Sequence, residues 1–144
     1  MKNNKDIQKV VKKLGYPNQI AETDLGEVVE FEVKVNDRLQ NCIAKISTHA
    51  QHGEIVEVVS IIGDLGEVVK TNPNKAIETL MALLMLNQDL ILAKTQIDRK
   101  GEMMYLVSRT LAPSCSDKEL GAMVQEVAIF ADVLEQQLLG IDEA

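Results

Sequence analysis

Aromatic residues are nearly missing from this chain, which has two Phe, two Tyr and no Trp in 144 residues. Its core must therefore come from Val, Ile, Leu and Met, and exposed rings able to stack on single-stranded nucleic acid are not expected. Cysteine is almost as scarce. Cys42 and Cys115 stand 73 residues apart with no CxxC pair; they allow one disulfide, but so sparse a usage suits a reducing cytosol. Long apolar runs are also missing. The longest, Leu80 to Leu86, is seven residues, whereas a membrane-spanning helix needs about twenty. The opening Met-Lys-Asn-Asn-Lys has no apolar stretch behind it, so no signal peptide is expected and the localisation reads as cytoplasmic. Phosphate-binding glycine loops, a GxSxG elbow and a dinucleotide fingerprint are missing too.

What is present is apolar and acidic. Hydrophobic residues make up 46% of the chain, enough for one domain over residues 1–144 with a real core. The net charge is −7, unevenly spread: residues 1–14 carry +4 through Lys2, Lys5, Lys9, Lys12 and Lys13 against Asp6, leaving −11 on the other 130. An acidic body repels phosphate, so nucleic acid is not an expected partner. The basic first segment reads as a solvated helix face, or as a contact for an anionic lipid or partner.

Hydrophobic periodicity orders the elements. Ile7, Val10, Val11 and Leu14 form a helical stripe over about 4–14, with Asn3 or Asn4 as cap and Gly15 and Pro17 as terminators. Three strands follow over about 27–62. Val29, Phe31, Val33 and Val35 alternate with charged residues, Asn36-Asp37 makes a tight turn, and Leu39 to Thr48 returns. Ile55 to Ile62 is nearly all apolar and reads as a central strand covered on both faces. Asp24-Leu25-Gly26-Glu27-Val28-Val29 recurs as Asp64-Leu65-Gly66-Glu67-Val68-Val69, read here as a glycine turn leading into a strand start, used twice.

Asn72-Pro73 opens a helix over about 73–88 whose apolar arc is too wide for one contact face, so either it packs centrally or its outer face meets another chain. A hairpin over about 90–110 turns at Asp98-Arg99-Lys100-Gly101. Ser116-Asp117-Lys118-Glu119 reads as a capping box for a last helix over about 116–139, on which Leu120, Val124, Val127, Ala131, Leu134 and Leu138 form a seam widened by Met123 and Phe130. The fold class is therefore α+β: an antiparallel sheet in the order α-β-β-β-α-β-β-α, with helices packed on it.

No arrangement of residues reaches a catalytic motif, and the chain is not expected to be an enzyme or to carry a cofactor. His49 and His52, near Glu54, lie in a turn and lack converging partners for a metal. Cys42 points to the apolar side of its strand, while Cys115 precedes a helix N-terminus that can lower a thiol pKa.

The element order resembles that of the YbjN family and, more distantly, the type III secretion chaperones, which share a fold. The likeness is carried by residues 73–139: the Pro73-led apolar helix, Leu86-Asn87 at its end, the hairpin with Asp98 and Gly101, and the last helix with Ala131-Asp132. The resemblance implies a twisted antiparallel sheet with helices packed against it, usually in a homodimer. Those chaperones hold an extended client segment across apolar patches, and YbjN proteins are linked with regulation.

Two functional readings follow. The first is a homodimeric protein-binding module, a chaperone or regulatory adaptor, that contacts itself and a client protein through Met81, Leu84, Met85, Met123, Phe130 and Leu134. Met103 and Met104 are further adaptable methionines. Strand addition at Leu39–Thr48 or Met103–Thr110 is a second binding mode, if either is a sheet edge. The alternative is a small-ligand sensor with a pocket between sheet and helix and Lys45, Lys94 or Arg109 as polar determinants.

Overall fold

The structure is a computed structural model that describes residues 1–143, with side chains through residue 138. It is an α+β fold containing the expected order. Helix α1 (Asn4–Lys13) is followed by strands β1 (Asn18–Thr23), β2 (Gly26–Val35), β3 (Arg38–His49) and β4 (Gly53–Asp64). Helices α2 (Leu65–Thr71) and α3 (Pro73–Leu86) come next, then β5 (Ala93–Ile97), β6 (Met103–Leu111), a short 3-10 turn (Ala112–Ser114) and α4 (Asp117–Glu143).

The strands form one six-stranded antiparallel sheet in the order β1-β2-β3-β4-β6-β5. Residues Val29, Phe31, Val33, Cys42, Ala44, Val56, Val58 and Leu106 point to one face and are buried there. Their cover comes from Ile7, Val10 and Val11 of α1 and from Leu120, Met123, Val124, Val127, Ala131 and Leu134 of α4. The position of β4 is central, as its apolar run requires. Only its Val56–Val58–Ser60 side lies under helices, however, while Ile55, Glu57 and Val59 on the other side stay half-buried.

The ends of α1 follow from its sequence. Asn3 Oδ1 accepts the Asp6 amide at 3.1 Å, and the Asp6 carboxylate accepts the amides of Lys2 and Asn3 at 2.8 and 3.3 Å. The bond from the Lys2 amide is the largest cause of a carboxyl pKa below its ordinary value. After Leu14, Gly15 takes φ +83°, a conformation that favours glycine. The start of α4 departs from the reciprocal box. Ser116 Oγ accepts the Glu119 amide at 3.0 Å, but the Glu119 carboxylate accepts the Thr110 hydroxyl at 3.0 Å, tying the helix to β6.

Two elements are additions to the expected order. Strand β1 has only Ile20 and Ala21 as apolar residues, too few to show a period. Its pairing with β2 through a two-residue turn creates it, with Thr23 Oγ1 accepting the Leu25 amide at 3.1 Å. The second Asp-Leu-Gly-Glu-Val-Val segment is not a strand start. It is the beginning of α2, because Asp64 Oδ1 caps the Glu67 amide at 3.1 Å.

Candidate functional site

Helix α3 lies beside the edge strand β5, where Thr95 Oγ1 donates to the Leu83 carbonyl at 3.0 Å. Asn72 Oδ1 caps the Lys75 amide at 3.2 Å, and Pro73 occupies the first turn. One side of α3 buries Ala76, Thr79 and Leu83. The other presents Ile77, Met81, Leu84 and Met85 at i, i+4, i+7 and i+8, with exposures of 60, 56, 69 and 63%. Glu78 is the one charged residue on that side, and Ile91, in the loop beyond, is even more exposed. This continuous apolar surface faces outward from the chain.

Three of the six expected partner-binding residues, Met81, Leu84 and Met85, therefore sit on an open face. Met123 and Leu134 do not. Both are buried, because the seam of α4 lies along its own sheet, and Phe130 is half-buried against the same core. Among the described side chains of α4, the large exposed apolar ones are instead Ile129 and Val133.

Strands β3 and β6 were candidate edges, but both are interior. The true edges are β1 and β5. On the outer side of β5, the Glu126 carboxylate accepts the amides of Ile91, Leu92 and Ala93 at 2.6, 2.6 and 3.1 Å. Asn87 Oδ1 accepts the Thr95 amide at 2.7 Å. These side chains consume donors that strand addition would use. Along β1, the Glu32 amide bonds to the Pro17 carbonyl, and antiparallel alternation then turns the backbone groups of Asn18, Ile20 and Glu22 outward.

A feature the sequence reading missed lies inside the sheet. The β3–β4 ladder runs from His49↔Gly53 to Ile43↔Val59 and stops, although β3 starts at Arg38 and β4 continues to Asp64. A second irregularity lies next to it. The register of β4 against β6 is regular through Ile61 and shifts between Ile61 and Gly63, a bulge that begins two residues beyond the last β3 pair. The strands part as a fork, which opens into a cleft of about 780 Å³ that also runs along Pro17–Gln19 and Glu30–Glu32. Gln40, Asn41, Cys42, Ile43, Val59 and Ile61 form its walls, and Glu135 of α4 reaches its floor. Gln40 Nε2 donates to Ser60 Oγ at 2.9 Å and to Glu135 Oε1 at 3.2 Å, while Ser60 Oγ donates to the Asn41 carbonyl at 2.7 Å in place of the missing ladder. Gly63 in the bulge was the available sequence signal, since an isolated glycine in a strand marks such a break.

Electrostatics at the fork follow burial. Desolvation raises the Glu135 carboxyl above its ordinary pKa. Burial pushes the Cys42 thiol up to about 12, which makes it an inert packing group. Nearby, Arg38 holds Asp132 with two bonds of 2.8 and 2.6 Å, and that guanidinium lowers the Asp132 pKa.

The other chemical candidates do not converge. The rings of His49 and His52 lie 5.0 Å apart in their turn, and among the described residues no group of three or more His, Cys, Asp or Glu is placed to hold a metal. The Cys115 pKa is raised by burial, not lowered by the helix that follows it. Lys45, Lys94 and Arg109 lie on the sheet face opposite α1 and α4, and none of them lines the cleft. Arg109 is bonded to Glu57 and to Gln96.

No protein-family model matches the chain, and no curated protein sequence does. A crystal structure of an uncharacterized protein from Methanothermobacter thermautotrophicus is similar in fold. It superposes with a TM-score of 0.56 over 97% of this chain and 96% of that one, at 9% identity. Among the described residues, no helix is long and apolar enough to cross a membrane.

Proposed function

We propose that the protein is a homodimeric protein-binding module, a chaperone or regulatory adaptor. The observation that carries this reading is the outward stripe of α3, four large apolar side chains that the fold leaves in water. Covering one such side chain is worth about 1.5–3 kcal/mol. A two-fold axis lets the stripe meet its own copy, since each residue then faces an apolar counterpart. A helix of 14 residues is about 21 Å long. Alone it is short of the roughly 800 Å² per partner that stable association needs, so the loop with Ile91 and the exposed Val69 of α2 would extend the contact. The acidic body keeps such a dimer soluble and favours partners of opposite charge.

Light scattering over a concentration series tests the dimer. The wild-type protein is expected at twice the 15.9 kDa chain mass. A Met81→Asp, Leu84→Asp double variant is expected at the chain mass with an unchanged circular-dichroism spectrum, because neither side chain is buried. A wild-type protein that stays at the chain mass at every concentration removes the dimer. Capture from source-cell lysate then tests the client, with one protein at near-equal amounts as the expected result and a clean preparation as the contrary one.

A further inference from the structure

We propose that the fork between β3 and β4 is a peptide-binding cleft that takes an extended, basic segment of a partner protein. The inference rests on the protein-binding reading and assigns that reading a second, separate surface.

Three observations converge on the fork. The first is backbone. Residues 38–42 of β3 pair with β2 alone, and residues 60–64 of β4 have no β3 ladder partner. Ser60 bridges to the Asn41 carbonyl and to Gln40 at 2.7 and 2.9 Å, so the two strand edges part only beyond Asn41 and Ser60. An extended segment can add to such edges through main-chain bonds. At about 3.3 Å per residue, the stretch of β3 beyond that bridge, Arg38 to Gln40, matches about three residues of an extended segment.

The second is apolar surface. Leu39 and Ile61, on the two lips of the fork, are 60 and 58% exposed, while Ile43 and Val59 below them are half-buried. Large aliphatic side chains facing each other across a cleft form seats for alternate residues of an extended chain.

The third is charge. Among the described residues, the cleft lining holds three carboxylates, Glu30, Glu32 and Glu135, and no Lys, Arg or His. The amides of Asn18, Gln19, Gln40 and Asn41 complete its polar lining. Among the described residues, Gln40 is the side-chain donor to Glu135, and burial disfavours the ionised form of that carboxyl. A lysine or arginine from an occupant would add to the counter-charge that Arg38 supplies there from its pair with Asp132. A periodic segment meets both demands, with apolar residues on the lips and a basic residue toward Glu135. An acidic occupant would add like charge to a body that already carries −11 outside residues 1–14.

The full chain tests this with two fluorescein-labelled synthetic peptides, Lys-Val-Lys-Val-Lys-Val-Lys and its counterpart with Glu in place of Lys, read by fluorescence anisotropy at moderate salt. The basic peptide is expected to bind at least about tenfold more tightly than the acidic one. Ile61→Thr and Glu135→Gln are each expected to weaken it severalfold while leaving the melting curve of the free protein nearly unchanged or higher. Hydrogen exchange should slow at residues 39–43 and 59–63. Equal binding of both peptides, no binding at about 1 mM protein, or protection at the outer edge of β1 instead would each overturn the assignment. The Met81→Asp, Leu84→Asp variant separates the two proposals. It is expected to lose the dimer and keep the basic peptide. A dimer that ignores the peptide removes the fork alone, and a monomeric wild type that binds it removes the α3 interface alone.

Discussion

The same six residues, Asp-Leu-Gly-Glu-Val-Val, stand at 24–29 and at 64–69 and fold in two ways. In the first copy, Asp24 and Leu25 turn the β1–β2 hairpin, Gly26 takes φ +89°, and Val28 and Val29 are fully buried in β2. In the second, Asp64 is a helix cap. The amides of Leu65 and Gly66 donate to the Glu102 carbonyl at 2.6 and 3.1 Å, and Val69 ends exposed on α2. Local sequence is identical, so the difference comes from what surrounds it. The first copy has β1 behind it and β3 ahead of it. The second follows the bulge of β4, beyond the last β3 pair, where the Glu102 carbonyl and the Asp64 carboxylate take its first amides. A marginal segment adopts the structure whose burial and hydrogen bonds its neighbours complete.

Burial gives the largest test of this contrast. Val29→Ala removes two buried methyl groups and leaves a cavity, for an expected loss of about 2–3 kcal/mol in urea unfolding. Val69→Ala, at the matching position of the second copy, should stay within about 0.5 kcal/mol. Equal losses would mean that Val69 is covered in solution, which would extend the α3 interface onto α2.

The glycines give a smaller test. Gly26→Ala places a side chain at φ +89°, with nothing within 4 Å of the new Cβ, so its expected cost of about 1–2 kcal/mol is purely conformational. Gly66→Ala meets two opposed effects. Helix propensity improves by about 1 kcal/mol, while the new Cβ lies 3.1 Å from Asp64 Oδ1 and disturbs the cap. Thermal melts should show a clear fall for the first variant and a net change within about 0.5 kcal/mol for the second.

What the sequence disclosed follows the same line. The period-two alternation of Val29, Phe31, Val33 and Val35 and the stripe of α1 are strong signals, and both elements stand where they were expected. Strand β1 was invisible because pairing, not its own residues, makes it a strand. Met123 and Met81 look alike in sequence, each within a wide apolar arc. Only the packing shows that α4 lies across the sheet and buries Met123, while α3 sits at its edge and leaves Met81 open. The fork was hidden for the same reason, since it arises where two strands fail to pair, and pairing is not written in either strand alone. Its floor residue, Glu135, comes from a helix about 75 residues beyond Ser60, a juxtaposition that spacing cannot reveal.

The smallest effect tests the comparison at its first residue. Asp64 Oδ1 accepts the Glu67 amide, one of the donors that a helix start leaves without an internal partner. Asp64→Ala should cost about 1 kcal/mol, and Asp64→Asn, which keeps the acceptor, close to nothing. Asp24 occupies the matching place in a turn held by the Thr23 hydroxyl, so Asp24→Ala should fall within about 0.5 kcal/mol. Denaturant midpoints measured side by side decide it. If Asp64→Ala is as silent as Asp24→Ala, the cap does not hold α2. The Glu102 carbonyl, which takes both the Leu65 and the Gly66 amides, would then be what turns the second copy into a helix.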